Sequence, residues 1–325
     1  MAFESKRSRY GDEITYVVNR QINPTNLCVY SCKFCDFAAR SGDAHAYELN
    51  EQQILDLVED PELREVHVVG GLHPRWNYRR SLALIRSIRR HRPDLWIKAF
   101  TAVEVAYFAR MARHGNFQVI LTDMVEAGID QMPGGGAEVL SDRLHTALYE
   151  QKIGPGDWLL IHGLAHEMGL RTNATLLFGH IETDEEIVDH LLKLRDLQDR
   201  TGGFQSFIPL AYQPGTTQLV PALVSSVRSL RIIALARLVL DNIPHIKAYW
   251  PTLQEETAAA ALTFGADDLD GTLGQERIMQ CAGSLSPAQL TRQHMAKLAR
   301  HAGQHLVERD GAFNMVQQAA LAEAH

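Results

Sequence analysis

Short apolar, β-rich runs alternate with helical stretches along most of this chain. The strand candidates are "EITYVVN", "EVHVVGG", "LWIKAFTAV", "RTNATLLFG", "FQSFIPLAY" and "HIKAYW"; helix candidates include Glu51–Glu59, Tyr78–His91, Asp184–Arg200 and Ser226–Asp241. Some helix ends are readable. Thr183 or Asp184 caps a segment with Glu185 and Glu186 in its first turn, and Pro244 stands just past the stop at "DNIP". Strands separated by helices predict βαβ units and a parallel sheet. Six or more such units without a break in composition favour a closed α/β barrel of the TIM type, (β/α)8, over two Rossmann halves. The expected division is a barrel over residues 1–284, with a special loop at 26–45, and a C-terminal helical extension, a helix and tail packed on the barrel, over 285–325.

In such a barrel the chemistry sits where strands end and the following loops begin. That rule singles out Gly70-Gly71-Leu72-His73, the Thr101–Glu104 segment, Gly179-His180-Ile181-Glu182, Tyr212 and Trp250. "MPGGGAE" (Met132 to Glu138) is expected to follow another, weaker strand, its glycines permitting close backbone approach.

Composition changes the picture little. The 325 residues are 46% hydrophobic and 22% charged, with a formal net charge of −7, which suits a globular chain with a sizeable core. Basic residues are dispersed apart from "RSIRRHR", which reads as a helix's polar face, so no nucleic-acid partner is expected. The first ten residues carry no apolar signal core, and "LRIIALARLVL" is too short and too broken by Arg231 and Arg237 to cross a bilayer. The expectation is a cytoplasmic protein with no membrane partner, in a compartment where clustered cysteines mean metal or redox chemistry.

Three of the four cysteines, Cys28, Cys32 and Cys35, fall in "NPTNLCVYSCKFCDF" as Cys-x3-Cys-x2-Cys. Thiolates suit zinc or iron–sulfur clusters. A structural zinc is closed by four ligands, but Cys281 lies far downstream with no ligand-spaced partner, and it reads as a small buried apolar residue. A 4Fe–4S cluster normally takes four thiolates, so three would leave one iron open to a non-protein ligand. A non-catalytic zinc-binding module is the alternative from a different class.

This spacing, ending in an aromatic residue and Cys, resembles the radical S-adenosylmethionine (SAM) superfamily. The ordered set "INPTNLCVYSCKFCDF", "HVVGGLHP", "IKAFTAVE", "MPGGGAE", "NATLLFGHIET", "GGFQSFIPLAYQP", "LDNIPHIKAYW" and "FGADDLDGT" is similar, within it, to the aminofutalosine synthase family. The resemblance implies one 4Fe–4S cluster on Cys28, Cys32 and Cys35, with SAM as a consumed co-substrate chelated to the open iron. It implies addition of a 5′-deoxyadenosyl radical to 3-[(1-carboxyvinyl)oxy]benzoate, giving 6-amino-6-deoxyfutalosine, methionine and CO2 or bicarbonate in menaquinone biosynthesis. An external one-electron donor such as flavodoxin or ferredoxin would be the protein partner. Dehypoxanthine futalosine cyclase and a deazaflavin (FO) synthase subunit are the nearest alternatives.

Residue by residue, the resemblance points to Gly70 and Gly71 as backbone contacts to SAM, although Leu72 stands where the superfamily has an acidic residue. Glu104 is expected at the ribose or the cationic part of SAM, against a plain helix N-terminal carboxylate. Asn173 fits either a ribose contact or a satisfied buried amide. The acceptor's two carboxylates need cations or donors, for which His73, Arg75, His180, Arg237 and Lys247 are candidates. His73 and His180, each following glycine at a strand end, are the expected catalytic pair. Asp267, Asp268 and Asp270 fit a closing turn or the adenine side.

Overall fold

A computed structural model describes residues 1–112 and 115–316. Seven parallel strands follow one another in chain order around a curled sheet. They are β2 (Asn19–Ile22), β3 (Glu65–Val68), β4 (Trp96–Ala99), β5 (Gln131–Met132), β6 (Arg171–Phe178), β7 (Phe204–Ala211) and β8 (His245–Ile246). Helices cross over between them, and the interface of sheet and helices forms a continuous core of Val, Ile, Leu and aromatic side chains. This is the α/β barrel architecture expected from the alternation of elements.

The first apolar run does not start that sheet. "EITYV" forms β1 (Glu13–Val17), which lies between β9 (Asp268–Gly271) and β10 (His305–Arg309), both parallel to it. β9 fills the gap between the two ends of the larger sheet. On one side it bridges β8 through Lys247 and Asp268; on the other, Gln21 donates its backbone N–H to Leu273 O at 2.9 Å. The residues after Ser284 supply helix Arg292–His301 and then β10, a strand absent from the sequence reading.

Local chemistry explains several boundaries. Helix Asp184–Thr201 begins in a capping box, with Thr183 and Glu186 each receiving the other's backbone N–H, and ends at left-handed Gly202. Helix Tyr78–His91 is capped by Asn77 and buries Leu82, Ile85 and Ile88 on one face. The run "LWIKAFTAV" splits. Its strand stops at Ala99, Phe100 turns with φ of 62°, and Thr101 caps helix Ala102–Met111. Among the described residues no helix is long and apolar enough to cross a membrane.

Candidate active site

The cysteine loop leaves β2 and runs across the strand-end face of the barrel. Leu27 pairs with Ala39, Cys28 donates N–H to Ala39 O at 3.1 Å, and Val29 donates to Leu72 O at 2.9 Å. The loop is therefore stitched to the end of β3. Its seat requires the two glycines. A Cβ on Gly70 would sit 2.8 Å from the Thr25 carbonyl oxygen, and one on Gly71 would sit 2.7 Å from the Leu27 carbonyl carbon. The glycines thus serve close backbone approach beneath the loop, and both remain on the wall of a cavity.

That cavity holds about 320 Å3 and gathers Cys28, Cys32, Cys35, Gly70, Gly71, Glu104 and Asn173 from four separate segments. The three thiols are half-buried and free. Among the described residues no three His, Cys, Asp or Glu side chains close on one point tightly enough to enclose a single ion. All three thiols line the cavity, the ligand type a cluster of several irons takes. Burial pushes the Cys32 thiol up to about 11 and raises Cys35, with Lys152 opposing both. Metal binding reverses such a shift by replacing the proton. Lys152 itself is pressed down by burial but held above its ordinary value by Glu138, 2.6 Å away, and by the Cys32 and Cys35 thiols. Lys152 and Glu138 line the same cavity, and neither was singled out from the sequence as a candidate. No spacing signal pointed to Lys152; Glu138 lay inside "MPGGGAE", a segment noted only for its glycines.

Glu104 is the third residue of its helix, not the end of a strand. Its carboxylate accepts the Thr101 backbone N–H at 2.7 Å in a capping box, while its side chain also borders the cavity. Burial pushes this carboxyl up to about 7, with the Thr101 hydrogen bonds opposing. Asn173, on β6, accepts at Oδ1 from Gln131 at 2.8 Å and Ser206 at 3.1 Å, so the amide is fixed with Nδ2 as its remaining donor.

The two histidines are placed differently from expectation. His73 is buried against a small adjoining cleft of about 40 Å3 that shares Gly70, Gly71 and Glu104 with the large cavity, with Nε2 2.7 Å from Glu48 and Nδ1 accepting from the backbone of Arg75 and Trp76. His180 folds back on its own loop, with Nε2 3.0 Å from Leu177 O and Nδ1 accepting Ile181 N–H at 2.7 Å. Neither ring lines the large cavity, because both nitrogens of each are committed to shaping a loop. The other expected carboxylate binders are also engaged elsewhere. Arg75 is exposed beside Glu48, Arg237 is buried on Asp267 and Gly265 O, and Lys247 is buried between Asp268 and Asp270. Of the three acids, Asp270 borders the cavity while Asp267 and Asp268 hold arginines. Cys281 is exposed at the end of the short helix Ile278–Cys281, which corrects the expectation of burial.

Comparison with known proteins agrees with this geometry. The Radical SAM superfamily model matches residues 22–194, and the CofH/MqnC C-terminal region matches residues 201–320. The chain is 41% identical over 320 residues to aminodeoxyfutalosine synthase of Thermus thermophilus, covering 96% of this chain and 86% of that one. It is 35% identical over 333 residues to aminodeoxyfutalosine synthase of Streptomyces coelicolor, covering 98% and 86%. Among solved structures, methylornithine synthase matches with a TM-score of 0.71 at 15% identity, over 94% of this chain and 87% of that one, a likeness of fold.

Proposed function

Because the chain belongs to the radical SAM superfamily, and within it to the aminodeoxyfutalosine synthase family, we propose that it joins the 5′-deoxyadenosyl group of SAM to 3-[(1-carboxyvinyl)oxy]benzoate. The products are 6-amino-6-deoxyfutalosine, methionine and CO2 or bicarbonate. Cys28, Cys32 and Cys35 are the ligands of the superfamily's 4Fe–4S cluster, and the chemistry of three thiols without a fourth fits a cluster with one iron open to SAM. When bound and reduced, that group supplies the electron that splits the sulfonium of SAM.

The chain's own residues hold and shield the reactants. The backbone at Gly70 and Gly71 receives the methionine end of SAM, close to the cysteine loop that those glycines seat. Glu104, fixed by Thr101, accepts from the ribose hydroxyls, and the remaining N–H2 of Asn173 reaches the same sugar. Apolar Val103, Leu177, Ile208 and Leu210 on the cavity wall exclude water and stray hydrogen donors. His73 and His180 act as positioning residues for the loops after β3 and β6. The electron comes from an external one-electron donor of the flavodoxin or ferredoxin kind, in the cytoplasm.

The observation that carries this reading is the meeting of three thiols, two loop-seating glycines and Glu104 on one cavity. The test is anaerobic incubation of the reconstituted, reduced enzyme with SAM and the enolpyruvyl benzoate. An adenosylated adduct formed with one methionine per turnover supports it. Free 5′-deoxyadenosine with no adduct overturns it.

A further inference from the structure

The interior of a TIM barrel is usually filled by branched aliphatic side chains. Beneath the cysteine loop this one is polar. A single register row runs from Gln21 on β2 through His67 on β3 to Lys98 on β4, and all three side chains reach the cavity wall. Tyr249, just past β8, lines the same cavity.

The hydrogen bonds of this floor do not balance. Gln21 is engaged with Glu276 at 2.9 Å. Lys98 gives one N–H to Glu65 at 2.7 Å, leaving two ammonium hydrogens over. Among the described residues neither nitrogen of His67 has a hydrogen-bond partner; Nε2 is fully enclosed, which leaves Nδ1 as the nitrogen that can meet a ligand. Among the described residues the Tyr249 hydroxyl has no partner either, and it is open to the cavity rather than fully buried. Buried polar groups are almost always paired, because an unmade hydrogen bond forfeits the water it replaced. Two unpartnered groups, with the two spare ammonium hydrogens of the Glu65-paired Lys98 beside them on one cavity, describe a place for an anionic oxygen ligand. Asp270 also borders the cavity, but Lys247 already holds its carboxylate. Burial, reinforced by Lys98, pushes the imidazole of His67 down to about 3, so it recognises by hydrogen bonding and leaves the charge to Lys98.

Depth selects which anion. His67 lies three residues before Gly70 along an extended strand, about 10 Å further from the mouth. The alkene that accepts the adenosyl group must lie near the cysteine loop, so the ring carboxylate, meta to the ether across the benzene ring, points toward the floor. We propose that Lys98, His67 and Tyr249 form the subsite for the ring carboxylate of the acceptor, an assignment that rests on the function given above.

The test compares kcat/KM of the anaerobically reconstituted enzyme for the substrate and for its analogue with a carboxamide in place of the ring carboxylate. Wild type should prefer the acid by about 30-fold or more, since a site built to bind a charged oxygen rejects the neutral isostere. His67→Phe and the double variant Lys98→Met/Glu65→Gln, which removes both charges of the pair together, should cut that preference to a few-fold through KM. SAM affinity and iron content should stay at wild-type levels. Equal turnover of acid and amide by wild type overturns the subsite while leaving the function standing, as does undiminished preference in cluster-loaded variants. If wild type makes no adduct from the acid, the function falls and the subsite with it.

Discussion

Gly71→Ala isolates the coupling between the barrel wall and the cysteine loop. The added methyl group would press on the Leu27 carbonyl oxygen, and would lie 2.7 Å from the Leu27 carbonyl carbon and 2.9 Å from that of Asn26. All three atoms are backbone, so no side chain can swing away. Restoring ordinary contact requires the segment leading into Cys28 to move by roughly 1 Å, at an overpacking cost of about 1–3 kcal/mol. A domain with a usual stability of about 5–15 kcal/mol tolerates that and stays folded. The ligands do not tolerate it equally, because a misplacement of roughly 1 Å in a reacting assembly costs on the order of 100-fold in rate. The expected result is a folded protein with a melting temperature lowered by a few degrees, as a loss of about 1–3 kcal/mol implies. Iron content and absorbance near roughly 400 nm should fall, and turnover should drop by about two orders of magnitude. Circular dichroism, iron analysis and product assay together decide. Gly71→Ala with full iron and wild-type turnover would refute the claim that this glycine seats the loop.

Glu104 should impose a pH dependence on stability. Its carboxyl titrates at about 7 in the fold against an ordinary 4.5, so between those values the fold holds a proton that the unfolded chain has lost. The Glu104 contribution to stability without SAM should therefore fall as pH rises through that window, by roughly 3 kcal/mol at most, against the opposite trend set by His67, His162, His166 and His190, which burial keeps neutral in the fold. The stability of wild type relative to Glu104→Gln should fall across that window, and a difference that does not change with pH would sink the assignment. Arg309 of β10 grips Asp268 of β9 through two buried hydrogen bonds, at 2.6 and 3.2 Å. Arg309→Met should cost about 3–5 kcal/mol in urea unfolding, and Arg309→Met/Asp268→Leu should recover most of it. Lys152→Met leaves Glu138 unbalanced beside Cys32 and Cys35, so the cluster should become harder to reduce. A redox titration giving an unchanged midpoint would count against a role for this lysine.

The sequence was most legible where apolar pattern and end signals coincide. Tyr78–His91 was found with its bounds because a polar face, an apolar face and a following Pro93 all agree. The cysteines were legible because few chemistries use three thiols so close together. Pattern failed where polar residues face inward. Asn19–Ile22, "NRQI", is a barrel strand whose Gln21 faces the polar floor, so it carries no apolar alternation. His67 and Lys98 were recognised only as parts of strands, since nothing local says that a strand's polar side points into a cavity. Helix Ala102–Met111 was hidden because "AVEVAYF" is rich in β-branched and aromatic residues, and its capping box decides the outcome. His73 and His180 were chosen for their place after glycine, but loop carbonyls, backbone N–H groups and Glu48 claimed their rings. Those partners become visible only in three dimensions.

The strand at residues 13–17 is flanked by strands from residues 268–271 and 305–309. A nascent chain that has just released its thiols from the ribosome therefore has nowhere to dock its opening strand, and must keep the ring ajar until some 250 further residues have been made. Contacts so distant along the chain slow folding. The cysteine loop leaves β2, the strand at that seam, so the wall on which the three thiols stand is complete only when the last part of the chain has arrived.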